Sequence, residues 1–294
     1  MLLFSGIMTH IRMVLELGKY KIALLVSLST LTGYVLAGGT VSLYLILPVG
    51  GIFFLALGSG ALNQYQERQK DALMPRTSAR PIPAGLISPP FAVLLSIALM
   101  ILGTTILWFG TNLTALVLGL VTVLWYNGIY TYLKKITPLA VIPGSVIGAL
   151  PPLVGWASVS ENIFQMQPLI LALFFFIWQI PHFWLLLLNF GQDYEKAGYP
   201  SLTAILDEKQ LARLTFIWIV ATAVSIILIP LFGMGDSDLI YVLLFIAAIL
   251  LIWNSVRLLK KDGIANAYIL AFRGINIFIL VVMFLLSIDK LFHL

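Results

Sequence analysis

Asn63, Glu67 and Asp71 stand at i, i+4 and i+8, so on a helix their oxygens fall along one slowly drifting stripe. Arg68, Lys70, Arg76 and Arg80 crowd close behind them. Oxygen ligands on one face with guanidinium groups nearby suit a hard divalent cation together with a phosphate-bearing ligand. A second acidic stretch repeats the pattern, with Asn189 and Asp193 at i, i+4 ahead of Gly198. Two opposed stripes could share Mg2+ ions between them, since each such ion keeps waters and takes few carboxylates. The plainer alternatives are a solvated helix whose acids pair with Arg68 and Lys70, and an amphipathic turn capped by Gly198.

Other polar residues interrupt apolar runs. Trp178-Gln179-Ile180-Pro181-His182-Phe183 places an amide, an imidazole and a proline mid-run. Polar groups in lipid are costly and usually face a bundle interior, where they mark a pathway or a ligand. The alternative for His182 is a core imidazole bonded to a carbonyl that Pro181 frees. The stretch from Pro143 through Gly148, Pro151, Pro152 and Gly155 to Trp156 combines small residues with a double proline, so close helix approach and a break or kink are expected. Tyr126, Asn127, Tyr130 and Tyr132 precede Lys134 and Lys135, of which Lys135 is the candidate phosphate clamp and Lys134 an interfacial anchor. Arg273 and Asn276 are further polar intrusions in the last run.

The elements that carry these residues are membrane helices. The 294 residues are 61% hydrophobic and 10% charged, against about 25% charged in ordinary soluble domains. At ~20 apolar residues per span, about nine spans fit, over residues 20–37, 43–62, 91–109, 113–130, 138–159, 168–188, 214–232, 239–255 and 267–288. The runs are continuously apolar, which makes the fold class all-α, a polytopic membrane helix bundle instead of a barrel. Residues 1–294 are expected to form one transmembrane domain, with no linker or low-complexity stretch dividing it. No cysteine is present, which removes disulfides, thiolate metal sites and cysteine nucleophiles. His10, His182 and His293 are too scattered for a multi-histidine metal site. No cleavable signal peptide stands out at the N-terminus.

Charge alternates between the connecting loops. Lys and Arg gather around residues 10–21, 68–80, 134–135, 196–213 and 257–261, whereas the loops near 38–42, 110–112, 160–167 and 233–238 have none. The positive-inside rule puts the N-terminus and the basic loops in the cytoplasm and the C-terminus outside, in a bacterial-type cytoplasmic membrane. The formal charge of +5 is then a matter of topology, and no nucleic-acid partner is implied. The two acidic loops, about 63–90 and 189–213, each follow an even-numbered span, a loose hint of internal duplication with the loops facing each other.

With these motifs assembled, the chain resembles the UbiA-type intramembrane prenyltransferases, and most of all their haem-farnesylating branch. The family's Asn-x-x-x-Asp-x-x-x-Asp motif running into Met-x-Arg-Thr-x-x-Arg-Pro-x-x-x-Gly is matched by Asn63, Glu67, Asp71, Met74, Arg76, Thr77, Arg80, Pro81 and Gly85. Thr137-Pro138, the Gly148 to Trp156 stretch, Trp178 to Phe183 and Asp193 to Gly198 fit as well, and Lys19-Tyr20-Lys21-Ile22 fits loosely. Glu67 stands where Asp is usual, and Gln69 and Gln192 where further acids are common. The resemblance implies farnesyl diphosphate as donor, haem b as acceptor, haem O as product and Mg2+ as cofactor. It implies metal ligation by Asn63, Glu67, Asp71, Asn189 and Asp193, and catalytic roles for Asp71, Arg76, Arg80, Lys135 and His182. Arg68, Tyr130, Trp178 and Gln179 would be further binding contacts, with the lipid bilayer as medium and any haem-handling or oxidase-assembly partner unknown. Two rivals are prenyl transfer to another acceptor (an aromatic acid, a quinone precursor or a chlorin) and a transporter with the acidic loops as gates.

Overall fold

The computed structural model describes residues 11–260 and 266–292; His10, Lys261 and His293 lie outside the described residues. All regular structure among them is helical. Among the described residues, eight helices are long and apolar enough to cross a membrane: α2 (Leu43–Asp71), α3 (Pro89–Gly110), α4 (Leu113–Leu133), α5 (Pro138–Ala157), α6 (Met166–Lys196), α7 (Glu208–Leu231), α8 (Asp238–Leu259) and α9 (Ala267–Phe292). Ahead of them α1 (Tyr20–Leu36) is a shorter apolar helix whose 17 residues rise about 25 Å. The protein is an integral, multi-pass membrane protein. Large apolar side chains such as Trp108, Phe245, Trp253 and Phe284 lie exposed on its outside, as a lipid-facing surface requires.

The chain closes on itself. α1 packs between α2 and α5, α5 joins α4 to α6, and α6 to α9 pack in sequence until α9 returns to α1. One core lies in the first half, around Ile52, Leu55, Leu107 and Val154, and a larger one in the second, around Leu171, Phe174, Ile219 and Ile275. Between lipid-embedded helices there is little hydrophobic drive, so contact depends on backbones approaching closely. Gly33 of α1 lies so near α5 that a Cβ there would sit 1.9 Å from the Pro152 carbonyl oxygen. Gly155 of α5 does the same against Thr30, again at 1.9 Å. This reciprocal pair locks α1 to α5.

Three departures from regular helix bear on the site. The double proline does not break α5: the helix runs from Val146 to Ala157 through Pro151 and Pro152, and the interruption falls at Ser145. Pro151 and Pro152 cannot bond the carbonyls of Ile147 and Gly148, so the unpaired groups sit one turn upstream of the rings. Residues 124–130 of α4 are wound as a π-helix, where seven regular residues were expected. The cause is on α2: Asn127 donates to the Ser59 carbonyl (3.0 Å) and to Gln66 Oε1 (3.1 Å), and also contacts the Ser59 hydroxyl. The extra residue per turn brings Tyr126, Asn127 and Tyr130 inward. Finally α6 continues to Lys196, beyond its apolar stretch, with non-helical φ −136° at Phe190.

Gly155→Val is expected to lower the stability of the detergent-solubilised protein by about 2 kcal/mol or more, read as a reduced melting temperature. An unchanged melting curve would show that α1 and α5 are not held this close.

Candidate active site

α2 runs on past its apolar stretch to Asp71, so the stripe is helical as its spacing demands. Asn63, Glu67 and Asp71 are 0%, 5% and 1% exposed. Buried charge needs a partner, and each of the three has a base. Lys19 donates to Asn63 Oδ1 at 2.6 Å, Lys134 pairs with Glu67 at 2.5 Å, and Arg80 reaches Asp71 Oδ2 at 2.6 Å. Arg80 returns to Asp71 because Thr77, in the turn after Pro75, anchors its hydroxyl on the Asp71 carbonyl at 2.8 Å. Lys19 adopts the left-handed conformation (φ 55°) immediately before α1, strain that an ordinary lysine avoids. Burial, and next the Arg80 charge, bring its ammonium down to a pKa of about 7.

The second acidic loop docks against the first at the same end of the bundle. Lys70 donates to the carbonyls of Ala197 (3.0 Å) and Gly198 (2.8 Å), and its ammonium lies 4.3 Å from the Tyr199 ring centroid. The Tyr199 hydroxyl donates to Glu67 at 2.9 Å. Burial, with the Glu67 charge beside it, pushes this phenol up.

Above this rim lies a cavity of about 390 Å³. Its walls include Asn63, Glu67, Asp71, Arg76, Arg80, Tyr130, Trp178, Gln179 and His182, which unites most of the residues singled out in the sequence. Arg68, Lys135, Asn189 and Asp193 are not on the wall. Arg68 bonds the Tyr65 carbonyl and stacks on that ring at 4.3 Å. Lys135 reaches the Gln66 carbonyl, and Asn189 donates back to Leu185 of its own helix. Tyr194 and Tyr199 line the cavity where Asp193 was expected to face it. Of the two adjacent lysines, Lys134 faces the cavity and Lys135, expected as the clamp, does not. Among the described residues no three acidic or histidine side chains gather as a metal cluster. Lys19 and Tyr199 were not expected in the site, apart from the loose match at Lys19, and Lys134 was expected only as an interfacial anchor.

The wall has two chemical halves. On the side of α1, α2 and α4 it is aliphatic and small, with Ile22, Val26, Ile52, Leu55, Gly119 and Val123. Ile22 and Leu25 of α1 and Leu280 of α9 line the cavity and are also 58%, 48% and 37% exposed, so the chamber opens sideways to lipid between α1 and α9. On the side of α5, α6 and α9 it is aromatic and polar, with Phe175, Trp178, Gln179, His182, Phe183 and Asn276. Gly148 makes room there, since a Cβ on it would sit 2.6 Å from Gln179 Oε1. Arg273, in contrast, is exposed on the outside of α9. At the rim Lys19, Arg76, Arg80 and Lys134 face two carboxylates, Glu67 and Asp71; with Lys19 brought down to a pKa of about 7, the positive excess lies between one and two charges, which suits a polyanion. The donor set fits a hard cation, because Glu67 and Asp71 offer carboxylate oxygens and Asn63, whose Nδ2 donates to Thr131 at 3.0 Å, offers Oδ1.

Residues 26–286 match a family model described as the UbiA prenyltransferase family. A protoheme IX farnesyltransferase of Nitratidesulfovibrio vulgaris (strain DP4) is 33% identical over 247 residues, covering 84% of this chain and 86% of its own. A solved structure described as a digeranylgeranylglyceryl phosphate synthase in membranes superposes with TM-score 0.76 at 20% identity, covering 96% of this chain and 98% of that one. A UbiA homologue from Archaeoglobus fulgidus, bound to GPP and Mg2+, gives TM-score 0.66 at 17% identity over 92% of this chain and 99% of its own. At such identities the two structures establish the fold.

Lys134→Met should weaken inorganic pyrophosphate binding about tenfold, a loss of ~1.4 kcal/mol, while Lys135→Met changes it less than twofold in the same titration. Equal losses would contradict the placing of Lys134, and not Lys135, at the cavity.

Proposed function

The chain belongs to the UbiA prenyltransferase family, and from that membership we propose that it transfers the farnesyl group of farnesyl diphosphate to the vinyl group of haem b, giving haem O. The observation that carries the reading is the junction in one cavity of a cation-rich polar rim with an apolar chamber whose far wall is aromatic. A diphosphate with a greasy tail and a flat aromatic acceptor would both be satisfied there.

The diphosphate would lie against Arg76, Arg80, Lys134 and Lys19. As the allylic C–O bond breaks, negative charge grows on the leaving group, and preorganised cations stabilise that change more than they stabilise the ground state. Asn63, Glu67 and Asp71 would hold Mg2+; the UbiA homologue solved with GPP and Mg2+ supports use of the ion in the family. When bound, the ion neutralises part of the diphosphate charge and assists its departure. The bases that hold these three residues in the free protein are then available to the phosphate oxygens. Asn189 and Asp193 stand off the wall and are given no ligand role. The farnesyl tail would occupy the aliphatic half and the porphyrin the aromatic half, beside Tyr130, Trp178 and His182. The opening between α1 and α9 would admit both substrates from the bilayer, and the apolar walls exclude water that would quench the allylic cation.

The distribution of basic loops supports an N-terminus and a polar rim on the cytoplasmic side, with the C-terminus outside. Lys290, at the opposite end, is paired with Asp236 at 2.6 Å and so leaves the asymmetry intact.

Purified protein supplied with farnesyl diphosphate, haem b and Mg2+ should yield a farnesylated, hydroxylated pigment by mass analysis; unaltered haem b would refute the acceptor. Asp71→Ala should lower turnover by at least about a thousandfold while the protein stays folded in detergent, and retained activity would refute its role.

A further inference from the structure

The aromatic half of the cavity contains three polar side chains whose placement the binding of a flat apolar ring does not explain. His182 is caged by Trp178, Phe272 and Phe183, with ring centroids 4.9, 5.1 and 5.7 Å away. Its Nδ1 is shut off from solvent and has no hydrogen-bond partner among the described residues. Leaving such an atom unpaired costs about 1–3 kcal/mol. Asn276 of α9 lines the same cavity as that ring. Its Nδ2 is committed to the Phe272 carbonyl at 2.6 Å, which leaves Oδ1 as the acceptor it can offer. Gln179, one turn before His182, lines the cavity with them. An aromatic cage without an acidic partner suits an uncharged imidazole, which is a base.

This group stands at the border between the two chemistries. His182 touches Phe183, Phe183 stacks on Tyr130 at 5.8 Å, and the Lys134 ammonium lies 5.3 Å from the Tyr130 ring centroid. One line of rings thus joins the acceptor wall to the diphosphate rim.

We propose that Gln179, His182 and Asn276 hold the water that hydroxylates the product, with the His182 imidazole taking its proton. The inference rests on the haem-farnesylation reading and adds the step that sets the product's oxidation-neutral hydroxyl. Diphosphate leaves with the electron pair of the C–O bond, and farnesyl C1 bonds to the terminal vinyl carbon. Positive charge then passes to the carbon next to the porphyrin ring. A water oxygen supplies an electron pair to that carbon, and the imidazole accepts the proton released. Nothing is oxidised or reduced. Without a held water, the same cation sheds a neighbouring proton and leaves an alkene lighter by one water. His182 is the catalytic residue of this step; Gln179 and Asn276 are positioning residues.

The test is the ratio of hydroxylated to alkene adduct, read by mass analysis on whatever farnesylated haem each purified protein makes, with isotopically labelled water to trace the oxygen. Wild type should give labelled hydroxylated adduct. His182→Ala should lower the ratio by about a hundredfold, with recovery on adding free imidazole. Asn276→Leu and Gln179→Leu, which keep the ring and fill similar space, should lower it by a smaller factor. If total adduct falls in these variants while the ratio stays at the wild-type value, the three residues only shape the cavity and the inference fails. Should His182→Ala yield no folded protein, the ratio in Asn276→Leu decides alone. A wild-type protein that makes no farnesylated haem refutes the function itself, a separate outcome.

Discussion

Lipid does not tolerate unpaired charge, and that constraint organises the polar end of this bundle. Three oxygen-bearing residues on α2 are each buried against a base from a different segment: Lys19 from the start of α1, Lys134 from the end of α4, and Arg80 from the turn after α2. Removing one partner of such a buried pair costs several kcal/mol, so the pairs fix the relative positions of those segments. They also keep a set of carboxylates and a set of cations side by side in the free protein. By exchanging partners, the acids would hold a metal ion and the bases a diphosphate, two ligands whose opposite charges largely offset each other.

The fold above the rim serves this arrangement. The Gly33 and Gly155 contacts hold α1 against α5, which sets Lys19 opposite Asn63 and leaves Ile22 and Leu25 beside the lipid-facing opening. The π-wound stretch of α4 turns Tyr126 and Tyr130 inward and delivers Lys134 to Glu67. Each irregularity thus sits where a regular helix would point the wrong side chain into the cavity.

Much of this was legible in the residues. Continuous apolar runs marked the helices because strands of a membrane barrel would alternate apolar and polar residues, and the i, i+4, i+8 spacing placed Asn63, Glu67 and Asp71 on one face. What stayed hidden depends on winding and docking. Lys134 and Lys135 are adjacent and identical in chemistry, and only the π-helix decides which one faces inward. Asp193 shares a motif with Asn189, yet the kink at Phe190 and the docking of Gly198 on Lys70 put Tyr194 and Tyr199 at the wall instead. The double proline suggested a break or kink in α5 at its own position, whereas the interruption is at Ser145, directly after Pro143-Gly144, a pair of helix breakers that the double proline overshadowed.

The partner exchange at the rim is tested most directly by the affinity of the wild-type protein for a non-reacting farnesyl diphosphate analogue, measured with and without Mg2+ and again in Asp71→Asn. Tight binding that depends on Mg2+ in wild type, and loses that dependence in Asp71→Asn, is the result expected. Equal affinity with and without Mg2+ in the wild-type protein would contradict it.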